Sequence, residues 1–203
     1  ALFDLHPETS QRKKPQLLLE IGSESSTLTV FADGHPLFAT SLMIGCERFN
    51  QELAAAEGLT PEVADETRKQ RRIDPAQPDS PLFRVAQQFR TEIETALDHW
   101  RSQENAELRA VALAGCWLCG GGARQGGLAE FLAAELHCPA TVFGPKPAPG
   151  QAPDPDFAVA YGLALQGVGK SALTISLTPQ SLRWSNDHRR CFPLLVATAA
   201  AVL

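Results

Sequence analysis

Apolar and polar positions change period several times along the chain, and each change marks an element. Leu17-Leu-Leu-Glu-Ile21 is a short apolar run ended by Gly22. Thr27-Leu-Thr-Val-Phe31 alternates, Asp33-Gly34 supplies hairpin-turn chemistry, and Pro36 to Leu42 returns. These segments predict a three-stranded antiparallel start. Phe49 to Ala56 predicts a helix ended near Gly58, and Thr60-Pro61-Glu62 opens another, with proline at its first position, running to about Arg72. Ile73 to Pro81, rich in proline and aspartate, reads as a loop. From Phe83 to Gln103, Val85, Phe89, Ile93, Ala96, Leu97 and Trp100 share one face of a long amphipathic helix, with Glu92, Glu94 and Asp98 on the solvated face. An apolar stretch then predicts a strand over Ala110 to Leu118 and runs into Gly120-Gly121-Gly122. A helix over Leu128 to Leu136, a short strand over Ala140 to Phe143, a proline-rich loop over Lys146 to Pro155 and a helix over Phe157 to Leu165 complete the pattern.

The glycine cluster is the most informative stretch. Glycine loses much conformational freedom on folding, so a cluster of it implies a backbone that must pass something closely. A strand, a glycine turn and a helix N-terminus form a site for a phosphate or another anion. A tight strand-to-helix turn with nothing bound explains the same residues.

Composition narrows the class. The 203 residues are 44% hydrophobic, enough for a real core, and fit one or two small domains. A net charge of −5 gives no overall basic field and excludes nucleic acid as the expected partner. Five cysteines, Cys46, Cys116, Cys119, Cys138 and Cys191, show no disulfide spacing and point to a reducing compartment. No signal peptide is visible, and a chain opening without methionine reads as a fragment or a processed form. The other end, from Cys191 to Leu203, is apolar to the last residue and follows His188, Arg189 and Arg190. A spanning helix needs ~20 apolar residues. The run is therefore expected to be the first half of a membrane helix, with the preceding domain on the cytoplasmic side.

The order of these elements resembles the second half of an actin-like, ribonuclease H-like ATPase fold: an α/β domain with a mixed sheet and flanking helices. Five stretches resemble one branch of it. Leu19-Glu-Ile-Gly-Ser-Glu-Ser-Ser-Thr-Leu28 is similar to the second phosphate-binding hairpin, and Ile44-Gly45 with Phe49-Asn-Gln-Glu-Leu53 to the helix entry that follows. Ala64-Asp-Glu-Thr-Arg-Lys69 is similar to the AEe.K helix of that branch, Gly120 to Leu132 to the adenosine motif, and Phe157-Ala-Val-Ala-Tyr-Gly-Leu-Ala-Leu165 to the closing helix. Together they resemble the PilM family of type IV pilus assembly proteins and, more distantly, the cytoplasmic domain of the GspL family of type II secretion. Leu173-Thr-Ile-Ser-Leu-Thr-Pro179, before basic residues and an apolar run, resembles the start of a PilN-type protein.

The resemblance implies a domain layout and a site. Residues 1–15 form a polar N-terminal segment, 16–167 the actin-like domain with a helical subdomain over about 59–104, 168–190 a linker, and 191–203 the start of the membrane helix. Glu20, Gly22, Ser25, Gly120, Gly121 and Gly122 are the implied cofactor-binding residues, with ATP and Mg²⁺ as the implied ligands. Ile175, Leu177 and Pro179 are the implied partner-binding residues, in a PilN-like segment fused to the PilM-like domain on which it would dock; PilN- and PilO-like inner-membrane proteins and an assembly ATPase are the implied partners of the whole. Two departures weigh against catalysis. Glu20 stands where the fold commonly has aspartate, and Mg²⁺ tolerates little change of geometry. The first half of the fold, which would form the opposite wall of the cleft, has no counterpart before Leu17. The expectation is a non-catalytic assembly platform of a type IV pilus or type II secretion machine at the cytoplasmic face of the bacterial inner membrane, and the alternative an ATP-binding actin-like ATPase or kinase whose first half lies upstream of Ala1.

Other chemistry fits less well. Gly167-Val-Gly-Lys-Ser-Ala-Leu-Thr174 looks like a GTPase phosphate loop but has Ala164 where the first glycine belongs. Cys116-Trp-Leu-Cys119 is a CxxC, yet in strand periodicity the two thiols point to opposite faces, which suits packing better than chelation. His6, His35, His99, His137 and His188 are scattered without a triad arrangement.

Overall fold

A computed structural model describes residues 2–7, 9, 13–104, 111–148, 150–171 and 179. Chain contacts divide it into two units, Ala1–Ala172 and Leu173–Leu203. The first unit is built on a mixed five-stranded sheet, β1 (Gln16–Ile21), β2 (Ser26–Ala32), β3 (His35–Leu42), β4 (Cys116–Cys119) and β5 (Ala140–Val142), in the order β3-β2-β1-β4-β5. β1–β2 and β2–β3 pair antiparallel, whereas β1–β4 and β4–β5 pair parallel. The helices are α1 (Leu2–Leu5), α2 (Cys46–Glu57), α3 (Pro61–Gln70), α4 (Pro81–Gln103), α5 (Leu128–Glu135) and α6 (Ala158–Gly167).

β1 is the central strand, and its composition explains the position. Leu17, Leu19 and Ile21 are fully buried on one face, packed with Ile93, Leu97 and Trp100 of α4 and Phe131 and Leu132 of α5 in one core. The residues expected on one face of the long helix, Val85 through Trp100, are all buried there. On the other face Leu18 joins a smaller core of Leu2, Phe31, Trp117, Cys119, Phe143 and Ala158. The N-terminal segment, expected to be polar and solvated, contributes to that face instead: Leu2, Phe3 and Leu5 pack there, and Gln16 donates through Nε2 to the Thr9 carbonyl and accepts from Trp117 Nε1, each at 3.0 Å.

Several expected boundaries shift. α2 begins at Cys46, before the expected Phe49, because the Cys46 and Glu47 amides find partners in the Gly22 and Ser23 carbonyls at 3.0 and 2.8 Å. Its N-cap, Gly45, carries no side-chain acceptor, which hides the start from sequence. β4 is a ladder only from Cys116, although the chain before it already runs beside β1, the Leu17 amide donating to the Gly115 carbonyl at 2.9 Å and the Ala114 amide to the Pro15 carbonyl at 2.8 Å. The first residue of the expected strand, Ala110, lies outside the described residues. α6 runs to Gly167, two residues past the expected end, and leaves Phe157, Val159, Leu163 and Val168 exposed around it. The hairpin at Asp33-Gly34 and the Thr60 cap with Pro61 at the first helical position are as expected, Thr60 Oγ1 accepting from the Val63 amide.

Among the described residues no helix is long and apolar enough to cross a membrane. The expected membrane segment at 191–203 lies outside them. Because Ile93 is wholly buried between α4 and the sheet, Ile93→Ala is expected to lower unfolding free energy by about 3 kcal/mol in urea titrations.

Candidate functional site

The parallel strands β1 and β4 end side by side, and the loops leaving their carboxyl ends meet there, where ligands of open α/β sheets gather. After β1 the chain turns tightly, the Gly22 amide donating to the Ser25 carbonyl at 3.0 Å and Ser26 Oγ to the Ile44 carbonyl at 2.6 Å. The same turn caps α2 through the Gly22 and Ser23 carbonyls. The first amides of α2, the groups that would attract an anion, are thereby already occupied. Ser25 is exposed on the turn, and Glu20 is half-buried in register with Cys119.

The glycines after β4 serve a close approach, and the nearest neighbour is β1. Gly120 has φ +84°, and a Cβ there would lie 2.6 Å from the Ile21 carbonyl oxygen. A Cβ on Gly122 would lie 2.1 Å from Ile21 Cγ2 and 3.0 Å from Cys46 Sγ. Gly121, between them, is exposed, with Asp156 Oδ1 at 3.8 Å as its nearest neighbour. The cluster does not sit at a helix N-terminus, contrary to the anion-site expectation. It opens a 3-10 turn over Gly121–Arg124, and α5 starts only at Leu128.

A buried guanidinium ties this turn to the helical subdomain. Arg68 of α3 is 5% exposed and donates through Nε to Asn50 Oδ1 of α2 at 2.8 Å, through Nη1 to Gln125 Oε1 at 3.2 Å and through Nη2 to Asp65 Oδ1 at 2.8 Å. Gln125, also buried, donates onward to the Arg71 carbonyl at 2.9 Å. Burying a charge is tolerable only with such complete compensation. Beside this network lies an open cavity of about 740 Å³ lined by Arg68, Lys69, Gly121, Arg124, Pro155 and Asp156, among others. Its cations are matched from within the chain: Lys69 pairs with Asp65 at 2.5 Å, and Arg124 with Asp154 at 2.6 Å and Asp156 at 3.0 Å.

Of the expected cofactor residues, the structure brings Gly22 and Gly120 to Gly122 together around Ile21, but Gly121 alone lines the cavity. Glu20, Gly22 and Ser25 belong to the neighbouring hairpin. Arg124, Asp154 and Asp156 were not singled out in sequence; their signal was the run Asp154-Pro155-Asp156 closing a proline-rich loop. Ile175 and Leu177 lie outside the described residues, and Pro179 is exposed. The CxxC pair packs on opposite faces, Cys116 in the larger core and Cys119 in the smaller. Burial, and then the Glu20 carboxylate, push the Cys119 thiol up to about 12, so a reactive thiolate is disfavoured there. No cluster of three metal-ligating side chains occurs among the described residues.

A mixed sheet with two loops converging at the ends of parallel β1 and β4, and helices on both faces, is the fold of one half of an actin-like ATPase. The chain is similar to MreB5 of Spiroplasma citri bound to ADP, at 14% identity and TM-score 0.59 over 79% of this chain and 56% of that one. It is likewise similar to a non-polymerising MamK mutant bound to AMPPNP, at 14% identity and TM-score 0.56 over 77% and 54%. A PilM–PilN type IV pilus biogenesis complex matches at 25% identity and TM-score 0.64, covering 82% of this chain and 50% of that chain. The family model of the type IV pilus assembly protein PilM matches residues 4–168, and the chain belongs to that family. It spans about half the length of the solved relatives it matches. No curated protein matches it.

Two outcomes follow from this geometry. Gly122→Ala is expected to destabilise the fold by about 2 kcal/mol through overpacking on Ile21, and the loss should be smaller in an Ile21→Ala background, read as a double-mutant cycle by denaturant unfolding. Hydrogen bonds from Lys69 and then Arg68 hold the Asp65 carboxyl below its ordinary value of 3.8. A lowered folded value makes this contribution complete above the ordinary value and lost as pH falls through the lowered one. The stability gap between wild type and Asp65→Asn should therefore shrink in acid, measured by urea titration across pH.

Proposed function

We propose that this chain acts as a PilM-type component of type IV pilus assembly, working through protein contacts as a platform at the cytoplasmic side of the inner membrane, without turnover of its own. Its partners on this reading are PilN- and PilO-like inner-membrane proteins, and an assembly ATPase supplies the chemical work. Family membership and the likeness to a PilM–PilN complex support the assembly role. The arginines before the apolar run at 191–203 support the membrane placement, and Ile175, Leu177 and Pro179 precede that run as the proposed partner-binding residues. GspL of type II secretion is the more distant resemblance, and its platform role at the same membrane is of the same kind.

The observation that carries the non-catalytic part is the internal compensation of the site. Each cation lining the cavity already holds a carboxylate of the chain, and the first α2 amides already hold the β1–β2 turn. An incoming phosphate would have to displace these contacts before gaining its own. Hydrolysis needs a placed nucleophile and stabilised developing charge. Among the described residues the cavity's carboxylate, Asp156, is taken up in an ion pair with Arg124.

A second reading, nucleotide binding, is favoured by Gly121 facing a cavity that also holds Arg68, Lys69 and Arg124. Were ATP with Mg²⁺ to bind here, Gly121, Arg68, Lys69 and Arg124 would be the residues to hold it, the cations offering charge to its phosphates. Calorimetric titration with ATP and Mg²⁺ separates the readings. The platform predicts binding weaker than ~1 mM. Micromolar binding that Gly121→Val abolishes would refute it.

A further inference from the structure

The short segment Asp154-Pro155-Asp156 is held against the glycine turn more firmly than a surface ion pair requires. Arg124 donates through Nη2 to Asp154 Oδ1 at 2.6 Å and through Nε to Asp156 at 3.0 Å, so one guanidinium spans two carboxylates. The backbone fixes both acids in place. The Gly120 amide donates to the Pro155 carbonyl at 2.9 Å, the Asp154 amide to the Pro145 carbonyl at 2.9 Å, and the Asp156 amide to Asp154 Oδ1 at 3.2 Å. Gly144 lies under the segment, where a Cβ would meet the Asp154 carbonyl oxygen at 2.0 Å. Ordinary exposed ion pairs are worth little because two long side chains must be ordered to make them. Here the carboxylates are short, and their backbone is already ordered by other contacts.

We propose that Asp154 and Asp156 act as a built-in anion, an autoinhibitory contact that occupies Arg124 and keeps the cavity from taking a phosphate-bearing ligand. The geometry has the features of such a contact. Arg124 ends the turn that carries Gly121, and the guanidinium, Gly121, Pro155 and Asp156 all line the same cavity. Arg124 is half exposed and not trapped in the core, so an external phosphate could reach it if the acids let go. Two carboxylates on one guanidinium reproduce the fork that a phosphate offers through two oxygens. The cavity is thereby compensated at its Arg124 side by Asp154 and Asp156, while at the other side Arg68 and Lys69 share the single carboxylate of Asp65. This inference rests on the platform reading, in which the unmodified cavity binds phosphate ligands weakly.

The test is Asp154→Asn with Asp156→Asn in the whole chain, titrated with ATP and separately with inorganic tripolyphosphate. Asparagine keeps an acceptor for the Asp156 amide and so preserves the cap that Asp154 makes on the short 3-10 turn Pro155–Phe157. The double variant is expected to bind one or both probes about tenfold more tightly than wild type, the worth of one charge-assisted contact made available. A gain for both probes assigns the effect to phosphate chemistry, and a gain for ATP alone adds a nucleoside contact; either supports the proposal. Adding Arg124→Gln should remove the gain. A double variant that binds no better than wild type, or a gain that survives Arg124→Gln, overturns the proposal. Single asparagine variants, each with a smaller gain, serve if the double variant does not fold. Micromolar binding by wild type would instead overturn the platform reading, so the two failures are distinguishable.

Discussion

The end of β1 is the place where the fold leaves no spare room. Ile21 faces the larger core, yet two glycines of another loop lie against it so closely that neither could carry a side chain. The carbonyls just beyond Ile21 cap α2, and the residue opposite Glu20 is the last of β4. Sheet, hairpin turn, glycine turn and the start of α2 therefore meet around Ile21. Close-packed interiors transmit such contacts because they cannot deform smoothly. The glycine turn is set in place by packing, and the cavity beside it inherits that placement.

Around this fixed point the site is balanced electrostatically from within. Arg68 is almost fully buried and is held by three side chains from three parts of the chain. Lys69 and Arg124 are more exposed but also meet acids of the same unit. A cavity that binds and turns over a nucleotide is expected to present uncompensated donors where charge develops. The arrangement here suits a retained framework serving contacts between proteins.

Much of the fold was legible in the sequence because period and turn chemistry agreed. The alternation around Leu28 and Val30, the Asp33-Gly34 turn, the Thr60-Pro61 start and the apolar face of α4 each pointed to one local structure. The start of α2 was hidden because backbone carbonyls, and no side chain, cap it. The burial of Leu2 and Phe3 was hidden because a short apolar cluster in a polar segment has no period. The candidate site was legible only in part. Three consecutive glycines announce close approach without saying to what, and two of them turn out to approach Ile21. The pairing of Arg124 with Asp154 and Asp156 joins residues thirty positions apart in sequence, and no spacing rule reveals it.

The polar seating of α3 carries one more implication. Only Ala64 and Arg68 of this helix are buried, so it offers the core almost no greasy surface. A helix docked on an apolar stripe can slide or roll by a fraction of a turn and keep most of its contacts. One docked through a forked cation cannot, because each hydrogen bond has a direction and a short range. The wall of the cavity formed by α3 thus has a single seat: it is either home or detached, with little in between.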